Sequence, residues 1–562
     1  MLLQVENLKT HLRAGKNIVK AVDGISFHID RGEIFCLVGE SGSGKSITAL
    51  SVIQLIPRDI CSHPDGRIFF QCGELNGNGS GERETLDMLT LAEDKKRQVC
   101  GARIAMIFQE PMTSLNPVFT IGEQIMEVLQ IHWPEMDDAE ARQRAIAALE
   151  QVQIPSPEVR VDEYPHRLSG GQRQRVMIAM AMACEPDLLI ADEPTTALDV
   201  TVQAEILRLM KALQARTGMS ILFITHDFGV VAKMADRVAV MRRGKIVETG
   251  TLDQVLHQPK HDYTKQLLAA LPENLKRQRD LQLVEIPLAQ DTIETEIDEP
   301  PLIELQQLEV YFPIKKGLFR HTVDHVKAVD GVDLKIPKGQ LLALVGESGC
   351  GKTTLGRAIL RLVDATAGTI LFNQQNITQL QRKAMIPFRR DMQIIFQDPM
   401  SSLNPRMTIV STLIEPMAVH GIGESKDERI EIARQILQRV QLDGDHLWRY
   451  PHEFSGGQRQ RIGLARALVL NPQFIVCDEV TSALDVSVQA EVLQLLMELR
   501  AEKNLTLLFI THDISVVEYI SDEMAVMHGG KIVERGPTAE ICRNPQQEYT
   551  QNLLSAVPRL VL

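Results

Sequence analysis

Two short glycine-rich segments carry the residue types and spacing that bind phosphate. They read GESGSGKS and GESGCGKT, and each follows an apolar run, IFCLV or LLALV, as a strand–loop–helix unit requires. In this pattern the glycine N–H groups cradle phosphates, the lysine reaches the outer phosphates, and the final hydroxyl coordinates magnesium. The chain is therefore expected to bind two nucleotides. The expected phosphate-binding residues are Gly39, Ser41, Gly42, Ser43, Gly44, Lys45 and Ser46, and Gly346, Ser348, Gly349, Cys350, Gly351, Lys352 and Thr353.

An acidic pair ends an apolar strand pattern in each half of the chain. PDLLIADEP ends in Asp192 and Glu193, and PQFIVCDEV contains Asp478 and Glu479. The first carboxylate of each pair is expected beside the magnesium ion, and the second is expected to polarise or deprotonate the attacking water. One such pair alone often caps a helix, but its repetition downstream of both phosphate loops favours catalysis.

Two histidines and two glutamines follow other apolar runs. His226 and His512 come after ILFIT and LLFIT, and Gln109 and Gln397 follow AMIF and QIIF. Alone, such residues are often structural, for example as hydrogen-bonding groups at strand ends. Beside the acidic pairs, each histidine is expected to contact the outer phosphate and to hold the water and the glutamate in place.

The segment SGGQ occurs twice, each time at the start of a helical pattern. Glycine N–H groups, a serine hydroxyl and the positive end of a helix together form an anion site. The structural alternative is a glycine-rich turn capped by the serine. The residues concerned are Ser169, Gly170, Gly171 and Gln172, and Ser455, Gly456, Gly457 and Gln458.

These landmarks repeat in the same order, which indicates a duplicated chain. The SGGQ segments, the acidic pairs and the histidines are each offset by 286 positions, whereas Lys45 and Lys352 are offset by 307. About 19 extra residues in the first half fall near Cys61–Cys100 and are expected to form a solvated surface loop. Residues 1–272 and 302–562 are predicted to be two ATPase domains, and the acidic segment 273–301 is predicted to be a flexible linker.

Short β-branched runs alternate with longer helical patterns in both halves. This alternation predicts an α/β fold with a largely parallel sheet in each domain. A helical subdomain is expected between each phosphate loop and the following SGGQ segment. In the second half, Ser425 and Glu428 predict a capping box, followed by an apolar helix face that includes Ala433 and Leu437.

Composition limits the class of protein. The 562 residues are 44% hydrophobic and 24% charged, which is ordinary for folded globular domains. No apolar stretch of the sequence is long enough to span a bilayer. The net charge of −13 argues against broad nucleic-acid binding. The eight cysteines include no C-x-x-C pair, so neither a zinc site of the usual spacing nor a disulfide framework is expected.

Together these segments resemble the ATPases of ABC transporters, over nearly the whole chain. The resemblance implies two tandem domains, each with a RecA-like core and a helical subdomain. In that family the LSGGQ segment of one half closes over ATP held by the phosphate loop of the other, and the segments that match TALD (196–199) and SALD (482–485) cross-link the halves. Val480 replaces the usual proline after the glutamate, and this is expected to loosen the turn.

The same resemblance implies ATP and Mg²⁺ as ligands and assigns residues to them. The implied catalytic residues are Glu193, His226, Glu479 and His512. The implied metal-site residues are Ser46, Gln109 and Asp192 in the first half, and Thr353, Gln397 and Asp478 in the second.

Finer motifs resemble the importer branch for oligopeptides, dipeptides, nickel and glutathione, and most closely the fused ATPases of glutathione import. These motifs are FQEPMTSLNP and FQDPMSSLNP, YPH before each SGGQ, and the YT-x-x-LL-x-A-x-P endings. The resemblance implies a peripheral protein on the cytoplasmic face of the bacterial inner membrane. The implied partners are two integral-membrane permeases and an extracytoplasmic solute-binding protein, with no nucleic acid.

The cargo is expected to be a small peptide, glutathione included, with nickel or a metallophore as the alternative. No iron–sulfur cluster is expected, because the cysteines that follow the YT motif in some relatives are missing here. A soluble tandem ATPase acting on ribosomes or DNA is the less favoured class. The linker is short and acidic, and neither paired-cysteine modules nor long coiled coils interrupt the domains.

Two positions are expected to distinguish the two nucleotide sites. Cys350 stands where the first loop has Ser43, and a thiol near a helix N-terminus is expected to have a lowered pKa and to react with maleimide. The family places an aromatic residue against adenine, which the resemblance assigns to Phe312. Leu12, next to His11, takes the equivalent place in the first half, so the first site is expected to bind ATP more weakly.

Overall fold

The chain forms two compact units. The computed structural model describes residues 1–15, 17–72, 84–109, 114–196, 198–285, 300–316, 321–398, 402–481 and 484–558. The first unit comprises Met1–Leu198 and Val202–Leu268 together with Pro558, and the second comprises Asp199–Thr201 and Ala269–Val557. The chain passes from the first unit to the second close to residue 272, where the first domain is predicted to end.

The first unit contains an antiparallel sheet and a mostly parallel sheet. Its strands are β1 (Leu3–Ala14), β2 (Asn17–Ile29), β3 (Ile34–Val38), β4 (Cys61–Ser62), β5 (Arg67–Cys72), β6 (Glu84–Asp87), β7 (Ile104–Ile107), β8 (Leu188–Asp192), β9 (Ser220–Thr225), β10 (Arg237–Arg242) and β11 (Lys245–Thr251). The antiparallel sheet has the order β2-β1-β5-β6, with β4 on β1. The other has the order β11-β10-β3-β9-β8-β7 and is parallel except for β11. Strands β3, β8 and β9 are buried along their whole length, as expected for parallel strands covered on both faces.

The helices of the first unit include the predicted helical subdomain. They are α1 (Lys45–Val52), α2 (Glu93–Val99), α3 (Ile121–His132), α4 (Asp138–Gln151), α5 (Pro157–Arg160), α6 (Gly170–Met182), α7 (Val200–Thr217), α8 (Phe228–Met234), α9 (Leu252–His257) and α10 (Asp262–Ala269). Helices α3–α5 precede α6, which starts at the first SGGQ segment. A capping box formed by Thr120 and Glu123 starts α3, whose apolar positions Ile121, Ile125 and Leu129 are buried.

The second unit repeats both sheets. Its strands are β12 (Ile303–Lys316), β13 (His321–Ile336), β14 (Leu341–Val345), β15 (Ala367–Phe372), β16 (Gln375–Asn376), β17 (Met392–Ile395), β18 (Phe474–Asp478), β19 (Thr506–Ile510), β20 (Glu523–His528) and β21 (Lys531–Pro537). The sheet orders are β13-β12-β15-β16 and β17-β18-β19-β14-β20-β21. Read from the opposite edge, the second of these orders is the same as that of the mostly parallel sheet in the first unit. The fold prediction, two tandem α/β domains of the same architecture, is confirmed.

The helices of the second unit follow the same plan. They are α11 (Pro272–Glu285), α12 (Lys352–Ile359), α13 (Ile386–Asp391), α14 (Ile409–Val419), α15 (Lys426–Arg439), α16 (Gly456–Leu468), α17 (Val486–Lys503), α18 (Ile514–Ile520), α19 (Thr538–Arg543) and α20 (Glu548–Ala556). Ser425 caps α15 as predicted, accepting a hydrogen bond from the N–H of Glu428. The reciprocal bond of a capping box is replaced, because the Glu428 carboxylate accepts from the N–H of Glu424 at 2.6 Å.

The segment predicted to be a flexible linker begins with a helix, so that prediction is wrong for α11. Lys276 forms a 3.0 Å ion pair with Glu518 on α18, and Arg279 donates to the carbonyl oxygen of Tyr519 at 2.5 Å. The Arg279 guanidinium also lies 5.7 Å from the centre of the Tyr519 ring. These contacts make α11 part of the second unit. Residues 286–299 of the predicted linker lie outside the described residues.

The region of the first half that holds the extra residues is not all loop. The region Cys61–Cys100 contains β4, β5, β6 and α2, which the prediction of a solvated loop missed. Residues 73–83, the glycine- and asparagine-rich part of that region, lie outside the described residues. Within the described parts of the chain, no helix is long and apolar enough to cross a bilayer.

Candidate active sites of the two units

Each phosphate loop joins a fully buried strand to the helix that follows it. Gly44 has φ 104° and Gly351 has φ 110°, in a region that side chains disfavour. A Cβ at Gly44 would lie 2.3 Å from the carbonyl oxygen of Ala21, and one at Gly351 would lie 2.0 Å from that of Ala328. Glycine is therefore required at both positions by conformation and by close approach of the neighbouring strand.

The phosphate-loop lysines are buried and fold back over their own loops. Lys45 Nζ donates to the carbonyl oxygens of Gly39 at 2.7 Å and Glu40 at 2.9 Å. Lys352 makes the equivalent bonds at 2.6 and 2.8 Å. Each ammonium group is thus held against the backbone of its own loop.

A hydroxyl and a carboxylate meet beside each loop. Ser46 Oγ donates to Asp192 Oδ1 at 3.0 Å, and Thr353 Oγ1 donates to Asp478 Oδ1 at 2.8 Å. Burial raises the pKa of Asp192 to about 6, against the opposing effect of the Ser46 hydrogen bond. Burial also raises the pKa of Asp478. In both carboxylates, burial outweighs the nearby hydroxyl and the cationic side chains.

The glutamate after each aspartate is held by a glutamine and a histidine. Gln109 Nε2 donates to Glu193 Oε2 at 3.0 Å, and His226 Nδ1 lies 3.3 Å from Glu193 Oε1. In the second unit, Gln397 donates to Glu479 at 2.6 Å, and the distance from His512 Nδ1 to Glu479 Oε1 is 3.5 Å. Residues from three different strand ends thus meet at one carboxylate in each unit. The additional donor to Glu193 is the hydroxyl of Thr196, at 3.0 Å.

The glutamate–histidine pairs shift each other's pKa values. In the second unit, the hydrogen bond between the two side chains lowers the pKa of Glu479 and raises that of His512. In the first unit, burial opposes ionisation of both groups, but their mutual hydrogen bond and charge outweigh it, so the pKa of Glu193 is lowered and that of His226 is raised. Each glutamate is therefore ionised at neutral pH, which a proton acceptor requires.

Each SGGQ segment forms a capped helix N-terminus. Ser169 Oγ accepts from the N–H of Gln172 at 3.3 Å, and Gln172 Oε1 accepts from the N–H of Ser169 at 3.1 Å. Ser455 and Gln458 form the same capping box. A Cβ on Gly171 would lie 2.6 Å from Val202, whereas Gly170 and Gly456 face open space. The structural alternative, a serine-capped glycine turn, describes this geometry, and anion binding at its open N–H groups stays a prediction.

Strand register places Leu12 and Phe312 at equivalent positions. Leu12 pairs with Val19 in β2, and Phe312 pairs with Val326 in β13. The two partner valines are 307 residues apart, the same offset as the phosphate-loop lysines. The Phe312 side chain is 43% exposed, so its ring is available to a ligand. Adenine binding at these two positions stays a prediction.

The expectation of a lowered pKa for Cys350 is wrong. Burial raises the pKa of the Cys350 thiol, and the nearby Lys352 charge only partly offsets this. The sulfur lies inside the loop, 3.8 Å from Lys352 Nζ, and the residue is 8% exposed. A protonated, buried thiol reacts slowly, so rapid inhibition by maleimide is not expected. Val480, the departure from the usual proline, is buried in the core of the second unit.

Some residues at these sites were not predicted from the sequence. Arg357 Nη2 lies 3.8 Å from Asp478 Oδ2, where the first unit has Leu50. Asp227 caps α8 directly after His226, and Asp513 caps α18 in the same way. The histidine–aspartate pair before an apolar helix is an N-cap signal that would have identified both caps.

Two sets of motif residues cannot be placed. Ala197 of TALD and Ser482 and Ala483 of SALD lie outside the described residues. So do residues 110–113 and 399–401 of the FQEPMTSLNP and FQDPMSSLNP segments.

Comparisons with known proteins cover nearly the whole chain. The ABC transporter family model matches residues 22–196 and 329–482. The model for the C-terminal region of oligopeptide/dipeptide transporters matches residues 247–298 and 533–561. Peptidoglycan transport ATP-binding protein YejF of Agrobacterium fabrum is 51% identical, over 99% of this chain and 96% of the relative. Glutathione import ATP-binding protein GsiA of Escherichia coli K12 is 47% identical, over 99% of this chain and 89% of the relative.

A structural comparison gives matches of smaller extent. The dimeric post-hydrolysis state of the ATP-binding cassette MJ0796 with ADP and Pi is 26% identical, with a TM-score of 0.38, over 45% of this chain and 99% of that one. The family and branch that the sequence motifs indicated are confirmed by the two family models and the relatives that match along the full chain. With two complete sets of ATPase motifs in a single polypeptide, this chain belongs to the ABC transporter family.

Proposed function

We propose that this protein is the ATP-hydrolysing subunit of an ABC importer for small peptides. The observation that carries the proposal is the duplicated arrangement in which a phosphate-loop lysine, a hydroxyl–aspartate pair and a glutamate–glutamine–histidine cluster occur in both units. Because neither unit lacks any of these groups, both sites are proposed to turn over.

The hydroxyl–aspartate pairs fit a magnesium ion. Mg²⁺ in nucleotide sites takes one or two protein oxygens, with the remaining ligands from phosphates and water. Ser46 with Asp192 and Thr353 with Asp478 provide that number, and Asp478 Oδ2 is buried without a hydrogen-bond partner. These oxygens would hold the ion, and a bound ion would supply positive charge to the phosphate oxygens. Gln109 and Gln397 stay candidates for the same role.

The protein's own groups account for the remaining steps. When nucleotide binds, the lysine would give up its hydrogen bonds to the loop carbonyl oxygens and donate to the outer phosphates instead. Hydrogen bonds to charged phosphate oxygens are stronger than those to neutral carbonyl oxygens. The ionised glutamate accepts a proton from the attacking water, and the glutamine and histidine fix the direction of its two oxygens. Such a general base is worth about 10²- to 10⁴-fold in rate.

The cargo is proposed from the C-terminal region and from the relatives. The match to the oligopeptide/dipeptide C-terminal region occurs twice, once after each ATPase core. The relatives are named for glutathione import and for peptidoglycan transport, and both compounds contain peptide bonds and carboxylates. We therefore favour a small peptide over nickel or a metallophore.

The proposal also includes location and partners. The protein would lie on the cytoplasmic face of the inner membrane, bound to two permeases that receive cargo from a solute-binding protein. ATP would draw the two ATPase domains together, and hydrolysis would release them. Two SGGQ helices, each with open space beside its first glycine, Gly170 or Gly456, support this pairing.

Glutamine substitutions at the two glutamates test the function. In vesicles that contain the permeases, Glu193→Gln and Glu479→Gln should each lower turnover at the substituted site about 100-fold or more while ATP still binds, because the amide keeps the shape but accepts no proton. Total ATPase should therefore fall by about half in each single variant, and by more if the two sites are coupled. Glu150→Gln, on the exposed side of α4, is the matched control. Wild-type turnover in either variant would show that its site is regulatory. Lack of stimulation by any binding protein loaded with peptide would refute the cargo.

A further inference from the structure

A tyrosine from the C-terminal extension of each half, which is the helical segment after β11 or β21 that carries the YT motif, reaches the phosphate loop of its unit. Tyr263 begins the first turn of α10, and Tyr549 occupies the same place in α20, 286 residues later. They are the tyrosines of the two YT motifs, which the ATPase chemistry described above does not use. Only six tyrosines occur in the whole chain, so their pairing at this position is informative.

In the first unit the tyrosine hydroxyl holds a side chain of the loop. Tyr263 is 4% exposed, and its hydroxyl donates to Glu40 Oε2 at 2.8 Å. The Arg242 guanidinium lies 4.3 Å from the ring centre, a cation–π distance that fixes the ring. Burial and the bond to Glu40 raise the pKa of Tyr263, so the hydroxyl remains a donor. The same Glu40 residue accepts from Lys45 through its carbonyl oxygen.

In the second unit the tyrosine hydroxyl holds the loop backbone instead. Tyr549 Oη accepts from the N–H of Glu347 at 3.0 Å. The His528 ring lies 4.1 Å from the Tyr549 ring, at the position that Arg242 occupies in the first unit. The Glu347 carbonyl oxygen accepts from Lys352 at 2.8 Å. The tyrosine therefore contacts the same loop position in both units, but through different atoms.

The extension itself is tied to the ATPase core close to these tyrosines. Glu248 on β11 accepts from the N–H groups of Lys260 and His261, at 2.7 and 3.1 Å. Glu534 on β21 accepts from the N–H groups of Gln546 and Gln547, at 2.8 and 3.2 Å. Each glutamate therefore holds the segment just before its tyrosine against the ATPase core. This fixes the position from which the tyrosine hydroxyl contacts the loop.

We propose that Tyr263 and Tyr549 are positioning residues of the two ATP sites, which makes the C-terminal extension part of each site. The inference rests on the proposed ATPase function. Each hydroxyl secures the loop residue whose carbonyl also anchors the lysine, so the loop is already ordered before phosphate arrives. Ordering before binding reduces the entropy lost on binding and therefore tightens nucleotide affinity. The first site depends on the carboxylate of Glu40, and the second depends on the backbone of Glu347.

Removal of single hydroxyl groups tests this role in the full-length protein. The measured quantity is the Kd of a fluorescent ATP analogue in the presence of Mg²⁺. Tyr263→Phe is tested in a Lys352→Ala background and Tyr549→Phe in a Lys45→Ala background, so that only one site binds nucleotide in each case. Each should raise the Kd about three- to tenfold, the range for one lost hydrogen bond. The rate at saturating ATP should change much less than KM. Tyr519→Phe, which removes a hydroxyl from α18, is the matched control and should leave Kd unchanged.

A double-mutant cycle separates positioning from general stability. In the first unit, Glu40→Ala should raise Kd as Tyr263→Phe does, and the two together should be no worse than either alone. Glu40→Gln, which keeps an acceptor oxygen, should rescue part of the loss. In the second unit, Glu347→Ala and Tyr549→Phe should act independently, because alanine keeps the N–H that Tyr549 accepts from.

The outcomes distinguish the two proposals. If the wild-type protein binds and hydrolyses ATP but both tyrosine variants keep its Kd, the positioning role is wrong and the ATPase function stands. If Tyr263→Phe and Glu40→Ala act independently, the role of the Glu40 contact is likewise refuted. If the wild-type protein binds no ATP, the proposed function itself fails.

Discussion

Exchange of Leu12 and Phe312 tests whether the two sites hold adenine differently. A phenylalanine side chain has roughly 200 Å² of surface, and Phe312 leaves 43% of its surface exposed. If a base covers about half of that, some 40 Å² is buried, which at about 25 cal/mol per Å² contributes about 1 kcal/mol. Stacking of a base on an aromatic ring is worth roughly 1–3 kcal/mol in total. Leucine keeps part of the apolar contact, so the difference should be about 1 kcal/mol, or fivefold in Kd.

The assay is nucleotide affinity at one site while the other is blocked at its lysine. Phe312→Leu should weaken the second site about fivefold, and Leu12→Phe should tighten the first by a similar factor. Val19 and Val326, which pair with the two residues, are 50% and 53% exposed, so both rings would have similar surroundings.

His11 provides the control for this reasoning. It precedes Leu12, and its Nε2 is buried without a hydrogen-bond partner. If His11→Ala weakens the first site while Leu12→Phe has no effect, the histidine is the adenine contact. Unchanged affinity in both exchanges would refute the argument, because neither residue would then touch the base.

Two further predictions concern the elements around the sites. Burial opposes ionisation of Glu534, but hydrogen bonds from the N–H groups of Gln546 and Gln547 outweigh it and lower its pKa. The stabilisation by Glu534 is therefore present at neutral pH and is lost as the pH falls through its folded-state pKa. Glu534→Gln should therefore lower the thermal midpoint at pH 7, and the difference from wild type, followed by circular dichroism, should shrink below about pH 4.5; a constant difference would contradict the hydrogen-bonding account. Arg279→Ala should reduce the unfolding free energy of the second unit by about 1–2 kcal/mol, because a charged hydrogen bond and a cation–π contact are lost. Chemical denaturation measures this change in unfolding free energy. The control is Arg277→Ala, at an exposed position on the same helix. Equal stability of the two variants would show that α11 does not support the second unit.

The fold and the phosphate loops were predictable because their signals are local. Each loop is specified within eight residues, and the strand before it is a continuous apolar run. The helix α11 was missed because its segment is rich in charge and lacks apolar periodicity, and its described contacts are with residues on α18, more than 200 positions away. Secondary structure that depends on distant contacts leaves no local pattern.

The same distinction holds within the sites. The placement of the acidic pairs followed from their position after a strand, but the pKa of Cys350 did not follow from its sequence neighbours. Nearness to a helix N-terminus predicts a lowered pKa, whereas the structure buries the sulfur, and desolvation outweighs the positive charge of Lys352. Tyr263 and Tyr549 were visible in the sequence as a repeated motif, yet only the structure places their hydroxyl groups on residues 40 and 347.

The backbone of the two glutamates links these separate observations. Glu193 and Glu479 both have φ 47°, a left-handed conformation that costs a non-glycine residue of order 1–3 kcal/mol. Such strain persists only where surrounding contacts determine it, and here a glutamine, a histidine and the strand end converge on the same residue. Loss of the Gln109 or Gln397 contact should therefore have a larger effect than the loss of one hydrogen bond. It would also release part of the constraint that keeps the carboxylate in place. The glutamines follow β7 and β17, the edge strands of the two mostly parallel sheets, so we expect displacement of an edge strand to move the amide that donates to the glutamate.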